Sequence, residues 1–490
     1  MNDGKFLKDV VKMIVFLGLV IVFCRLTKGA GAIAVAFAGG CFAVAGKTDK
    51  FLSCYLLLPF MIMMNPLLLG VEGTFYILVR IGNFILIAAA ILRGLTGGNR
   101  GHVRLPIGLL FAYLGVVGLS SATGWFPLIS YLKLLNFVLF LAGMCFAVGD
   151  LRTSDRALYH VRVIFMSFAV VVIIGSLALL PLPGIAYLTS ARGMLREGAT
   201  IADMNAAMAE RTGMKLFAGV TNHSQCLGPM SVGLTSWVLC DMLFVVRRFS
   251  RLHMAVVALS PVVFFLTRSR TAIVSFVMVL FILFFYALGK VRMSLHVKSR
   301  VRQIFIGFFV LLVLGAVAAE VKSQTITRWL RKSEDVAGDE RGLMEAMTES
   351  RMGKVEILMQ DFHRNPLMGM GFQVSEDLPE RYQMGQASLL SATVEKGNVF
   401  LTVLSESGLV GSVVFLAFLI RFYTTCMTRR YMALLTLFTF LLAANMGEAT
   451  FFSPTALGGI LWMLVAIGGL AVDLSSKRRT EWEMMMGFRG

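Results

Sequence analysis

The sequence predicts an all-α, polytopic integral membrane protein, with about fourteen transmembrane helices and one large loop on the far side of the bilayer. Three observations predict it. The chain is 57% hydrophobic and 15% charged, where soluble proteins run near about 25% charged. Apolar runs of spanning length recur from one end to the other. The segments between them alternate between basic and charge-poor, apart from two long outer segments, 182–223 and 321–397, to which the charge rule does not apply. A soluble fold of 490 residues with a mean hydropathy of +0.78 could not hide so much apolar surface, whereas lipid accepts it as a solvent.

Runs long enough to span fall at 12–24, 29–46, 51–69, 74–93, 105–121, 128–148, 162–181, 224–246, 253–267, 271–289, 303–320, 398–421, 431–447 and 455–473. The ninth and tenth are short. The runs divide the chain into three parts. Residues 1–320 form a transmembrane bundle with spans one to eleven. Residues 321–397 form the large outer loop, and 398–490 hold spans twelve to fourteen and a cytoplasmic tail. In the loop, Leu343, Met347, Val355, Leu358 and Met359 recur at helical spacing over 341–362. Asn365-Pro366 ends that helix, and Gly369 and Gly371 make a turn.

Orientation follows from Lys and Arg. With a cytoplasmic N-terminus, every inner segment is basic, from Lys5, Lys8 and Lys12 through Arg247, Arg248 and Arg251 to Lys477, Arg478 and Arg479. The short outer loops at 70–73, 122–127 and 448–454 have neither Lys nor Arg. This alternation predicts an even number of spans with both termini inside. It also accounts for most of the net charge of +18, so no nucleic-acid partner is expected. The seven cysteines are scattered in or beside apolar runs, which implies no disulfide framework and no metal site. The first run, 13–24, is followed by Arg25 and Lys28 and reads as a membrane helix rather than a cleaved signal.

Four places carry candidate chemistry. The first is Arg268-Ser269-Arg270-Thr271, between spans nine and ten. Residues 253–289 must hold two crossings, so these arginines sit at or just inside the outer surface. Arginine in a bilayer costs about 2.5–3.5 kcal/mol on insertion scales, and its planar fork suits phosphate oxygens. A snorkelling hairpin that marks the interface is the plain alternative. The second is His223, at the outer start of span eight, a base or phosphate ligand unless it is structural. The third is Glu395-Lys396-Gly397-Asn398, where the loop returns to the membrane. Carboxylate, ammonium and amide meet there at a helix N-terminus, and Glu395 could act as a general base or merely pair with Lys396. The fourth is Arg351 with Lys354 and Arg364, cations that face either anionic head groups or plain solvent. No Walker A motif is present.

With those residues in hand, the chain resembles the bacterial O-antigen ligase and polysaccharide polymerase superfamily over roughly residues 200–470. Four stretches carry the likeness. Thr267-Arg-Ser-Arg-Thr271 resembles the family's Ser-Arg-x-Ala helix start. Phe217-Ala-Gly-Val-Thr-Asn-His-Ser-Gln225 resembles its Gly-x-x-x-His segment. Arg364-Asn-Pro-Leu-Met-Gly-Met-Gly-Phe372 resembles its Pro-Leu-x-Gly-x-Gly turn. Asn398 to Gly411, ending Leu404-Ser-Glu-Ser-Gly-Leu-Val-Gly411, resembles its Asn-x-x-Leu…Glu-x-Gly-x-x-Gly helix. One departure stands out. Where the ligases carry His-Asn, this chain has Gly397-Asn398 preceded by Glu395-Lys396. That variant, with Asn445-Met-Gly-Glu448, is similar to the polymerases.

The resemblance implies a GT-C-like glycosyltransferase of the bacterial inner membrane, with its active site on the periplasmic face. It implies a polymerase that joins oligosaccharide repeat units carried on undecaprenyl diphosphate, without metal or cofactor. Arg270 and Arg351 would meet the diphosphate, with Arg268 and Lys396 in support. Glu395 is the first choice of base and His223 the second. Asn398, Arg364 and Glu448 are further candidates. Other polysaccharide assembly or chain-length proteins are possible partners. A ligase that moves finished glycan to a lipid or protein acceptor is the nearest rival. A flippase or transporter for lipid-linked oligosaccharide is a rival of another class, but no paired broken helices in matching halves are evident. A non-catalytic scaffold of an export complex is a third.

Overall fold

The computed structural model describes residues 3–65, 73–96, 105–151, 154–188, 216–246, 250–288, 355–376, 397–447, 450–454 and 456–485, with single positions at 68, 300, 303 and 307. The described elements are helices joined by turns, apart from one two-residue antiparallel pairing, Tyr187–Leu188 with Leu216–Phe217, and an isolated bridge between Met64 and Thr221. Thirteen rods make it up. They are α1 (Asp3–Leu26), α2 (Ala30–Val44), α3 (Thr48–Ile62), α4 (Gly73–Thr96), α5 (Ile107–Thr123), α6 (Pro127–Leu151) and α7 (Asp155–Ala178). They continue as α8 (Ser224–Cys240 with a π-helical turn at Asp241–Val246), α9 (Arg251–Thr267) and α10 (Arg270–Leu288). The last three are α11 (Val399–Arg429), α12 (Met432–Ala444) and α13, which runs Ala456–Met463, a π-helical turn at Leu464–Gly469, then Leu470–Met485. A helical stretch at 355–364 lies between α10 and α11.

Six of these, α4, α6, α7, α8, α11 and α13, are long and apolar enough to cross a bilayer. Five shorter apolar helices join them: α2, α5, α9, α10 and α12. This is the composition of a polytopic integral membrane protein. The fourteen spans expected from sequence are not reached by this criterion, and most of the eleventh run, 303–320, lies outside the described residues. Residues 341–354 of the expected loop helix do too, while its C-terminal part ends at 364, just before Asn365-Pro366. A residue preceding proline is disfavoured in the α region, which explains the stop.

Burial ranks the rods. In α8 and α13, 89% of the spanning window is buried, against 39% in α4. The centre is therefore α8 and α13, packed around Trp237, whose indole N–H donates to the Gly468 carbonyl at 3.0 Å. That carbonyl lies in the π-helical turn of α13. Leu19, Ile77, Leu135, Phe281 and Val413 stay exposed on outer faces, as side chains turned toward lipid do.

Two devices fix one end of the bundle. The α12 start has no cap of its own, and Asp473 of α13 supplies one, accepting from the Ala433 and Leu434 amides at 3.0 and 2.9 Å. Nearby, Arg162 of α7, Asp241 of α8 and His253 of α9 form a fully buried cluster. Arg162 grips Asp241 with two bonds, at 2.5 and 3.0 Å, and His253 Nε2 lies 3.1 Å from the same carboxylate. Cys240 lies beside Asp473 and Thr436, and Gly233 faces Phe440. So α8 and α12 run antiparallel, and His223 at the α8 start shares an end with Asn445 after α12.

Candidate functional site

The opposite end gathers the loops between helices, and a broken helix organises it. At Gly408, α11 leaves helical geometry (φ 60°, ψ −160°). A break strands amides and carbonyls that apolar surroundings cannot satisfy. The turn after Asn365 satisfies them. Met370 and Gly371 amides donate to the Ser405 and Glu406 carbonyls at 2.9 and 3.1 Å. In return, the Leu409 and Val410 amides donate to the Pro366 and Leu367 carbonyls at 2.8 and 3.2 Å. Such an approach needs bare backbone on both sides. Gly369 (φ +77°) lies where a Cβ would stand 2.4 Å from the Glu406 carbonyl carbon, and one on Gly408 would stand 2.4 Å from that of Leu367. The Pro-Leu-x-Gly-x-Gly and Glu-x-Gly patterns are thus two halves of one joint.

Side chains lock the joint. Glu406, fully buried, accepts from the Gln373 amide at 2.9 Å, and Gln373 donates its own amide group to the Phe452 carbonyl at 2.7 Å. The Phe372 amide donates to Ser130 Oγ and Ser121 Oγ at 2.7 and 3.2 Å, and Ser120 donates to the Glu406 carbonyl at 2.9 Å. Lys133 of α6, also buried, donates to the Gln373 carbonyl at 2.9 Å. A short way off, Arg364 pairs with Glu376 at 2.6 Å and lies over the Trp125 ring at 5.1 Å.

Beside the joint, Asn398 caps α11, accepting from the Phe400 and Leu401 amides at 2.9 and 3.3 Å. The Val399 amide donates to the Asn445 carbonyl at 2.9 Å, and Asn445 Oδ1 accepts from the Thr450 amide at 2.7 Å. The start of α11 and the end of α12 are therefore one unit.

His223 begins α8 as its N-cap, with Nδ1 accepting from the Gln225 amide at 3.0 Å. In a neutral ring this bond places the proton on Nε2. The segment before it is pinned to the end of α3. The Asn65 amide donates to the Val220 carbonyl and the Asn222 amide to the Met63 carbonyl, both at 2.8 Å, and the Asn65 side chain bridges the Ile185 and Gly219 carbonyls at 2.8 and 2.9 Å. Between α9 and α10 only Arg268 and Ser269 intervene, and Arg268 adopts the left-handed conformation (φ 52°) that turns the chain back. A Cβ on Gly228 of α8 would come within 2.5 Å of Ser269 Cβ. The His223 helix and the arginine turn thus touch, and α10 also packs on α12.

Of the residues singled out in the sequence, the structure brings His223, Arg268, Asn398 and Arg364 to one end of the bundle, together with the backbone of Arg270 at the start of α10. The Arg270 side chain is outside what the structure describes, and Glu395, Lys396, Arg351 and Glu448 lie outside the described residues. Sequence reasoning did not single out Lys133 or Gln373, and it named Asn445 only within the polymerase-like stretch, not as a partner of the α11 start. A lone Lys in the run 128–148 was the available signal, because an intramembrane cation needs a partner or a task. Gln373 had none, since its partners Glu406 and Phe452 lie far along the chain. Among the described residues, no three His, Cys, Asp or Glu side chains converge as metal ligands.

Residues 255–416 match a protein-family model described as O-antigen ligase. The match covers three of the four motif stretches and supports the resemblance to the O-antigen ligase and polymerase superfamily. No curated protein and no solved structure matches the chain.

Proposed function

From the O-antigen ligase match we propose that this membrane protein is a glycosyltransferase that polymerises lipid-linked oligosaccharide at the end of the bundle where the motif stretches meet. The convergence of the Arg268–Arg270 turn, the His223 helix start, the Gly369–Gly371 joint and the Asn398 cap carries the reading. An acceptor sugar hydroxyl attacks the anomeric carbon of a glycan on undecaprenyl diphosphate. The bond from that carbon to the diphosphate oxygen breaks, and the lipid diphosphate leaves. Its growing charge is the part of the transition state that cations stabilise. In this reading Arg270 and Arg351 meet the diphosphate, and Arg268 and Lys396 reinforce them.

Glu395 takes the proton of the attacking hydroxyl. His223 can take a proton only by giving up the Gln225 amide, so its geometry favours donating from Nε2. A ligase is the second reading, favoured by the description of the matching family. The basic alternation supports a cytoplasmic location for the opposite end, and hence a periplasmic site.

The test is turnover of purified protein on undecaprenyl-diphosphate oligosaccharide. Arg270→Ala is expected to lower the rate by about 100-fold or more, the usual loss of one charge-stabilising donor. Full polymer from that variant removes the diphosphate role, and normal turnover by Glu395→Gln removes the base. A ladder of lengths on the carrier marks a polymerase, and a single transfer to a separate acceptor marks a ligase.

A further inference from the structure

The end of the bundle away from that site holds a feature the reaction does not use. As α11 ends, Arg421, Thr424, Thr425, Thr428 and Arg429 follow at i, i+3, i+4, i+7 and i+8, which is one helix face. With Leu105 and Pro106, just before α5, they line a cleft of about 410 Å³. Both arginines are exposed, and neither makes an ion pair among the described residues. Thr424 and Thr428 spend their hydroxyl protons on the Arg421 and Thr424 carbonyls, at 3.1 and 2.7 Å. The charge contacts of this cleft therefore come from the two guanidinium groups.

Leu105 also borders a second cavity, of about 50 Å³, that reaches deeper between α5, α6, α11, α12 and α13. Leu110, Leu141, Phe418, Phe438 and Ala466 line it, and no charged side chain does. Phe418 and Phe422 of this cavity sit on the same helix as the arginines, within one turn of Arg421. The basic cleft and the apolar cavity thus share Leu105 as a common wall. A soluble anion would use only the first, and a neutral lipid only the second.

We propose that this paired cavity binds an anionic phospholipid of the adjacent leaflet. Arg421 and Arg429 hold its phosphate, and the end of one acyl chain enters at Leu105. The bidentate fork of arginine suits phosphate oxygens, and the methylene end of a chain fits walls that offer no hydrogen bond. The charge alternation places this end on the cytoplasmic side, where anionic lipid attracts basic residues. The readout is lipid binding, so it stands or falls apart from the transferase reading.

The experiment titrates dioleoyl phosphatidylglycerol or phosphatidylcholine onto the purified full-length protein in detergent and measures retention by native mass spectrometry. Phosphatidylglycerol is expected to bind in preference. Arg421→Gln with Arg429→Gln should weaken it about 30-fold, from the usual contribution of each arginine near a membrane surface. If the double variant fails to fold, each single substitution should cost about fivefold. Arg251→Gln, an exposed arginine at the same end, should leave binding unchanged. Ala466→Leu, which fills the apolar cavity, should weaken phosphatidylglycerol with both arginines intact. The proposal is overturned if the arginine variants bind normally, or if Arg251→Gln costs as much. It is overturned equally if Ala466→Leu changes nothing, or if sn-glycerol 3-phosphate competes as well as the lipid, which would mark a soluble-anion site.

Discussion

The two ends of the bundle each bury polar groups in apolar surroundings, and they do it by different means. At the motif end, a broken helix is healed by backbone from a distant turn. Its four bonds join neutral amides and carbonyls, and glycines on both sides set the distance. At the basic end, α7, α8 and α9 are joined by charge. Arg162 and His253 each lie within 3.1 Å of the single Asp241 carboxylate. The lesson concerns what each can tolerate. A charge cluster depends on every member being present but not on those members as such, since well-packed apolar groups can replace a whole buried ion pair. A backbone joint has no substitute, because any side chain at its glycines occupies the space of the bonds.

The largest expected effect tests the charged end. Asp241→Ala takes the carboxylate away from buried Arg162 and leaves a cavity, and should cost about 3–5 kcal/mol, the usual penalty for breaking a buried ion pair. Thermal unfolding in detergent reads it. The contrast sharpens with Arg162→Met combined with Asp241→Leu, which should recover most of the loss. A double variant no better than Asp241→Ala would mean that the cluster does more than hold helices. Next comes the joint. Gly408→Ala should cost about 1–3 kcal/mol through overpacking. Any folded fraction should make little polymer, because the turn is displaced from the site. Unchanged polymer from that variant would uncouple joint and site. The smallest effect is Glu406→Gln, which keeps an acceptor for the Gln373 amide while it removes the charge and replaces the second carboxylate oxygen with an amide NH2. About 1 kcal/mol of stability is expected, with polymer length nearly normal.

The motif end was the more readable in sequence for the same physical reason. Glycines and a proline at fixed offsets are local signals, so Asn365-Pro366, Gly369 and Gly371 announced a turn before its partner was known. The tight passage between α9 and α10 was also foreseeable from how few residues separate two crossings. What Gly408 meets could not be read, because Leu367 lies in a different part of the chain. The charged end was almost silent. Arg162, Asp241 and His253 are separated by 79 and 12 residues, and the sequence shows them only as three polar residues near span ends. Asp473 is equally mute, since the helix it caps begins about forty residues earlier. The π-helical turns at Val170–Gly175, Asp241–Val246 and Leu464–Gly469 leave no mark in an apolar run, where helical and π-helical turns read alike.

The joint at Gly408 also constrains the order of assembly. Until the 366–372 turn arrives, the carbonyls of Ser405 and Glu406 and the amides of Leu409 and Val410 have no protein partner from it, and hydrocarbon offers none. The first turns of α11 are therefore costly to bury alone. They become cheap only together with the 366–372 turn, a segment earlier in the chain. Docking of the 366–372 turn and burial of the first turns of α11 are therefore coupled, and the same coupling sets the joint beside the candidate site.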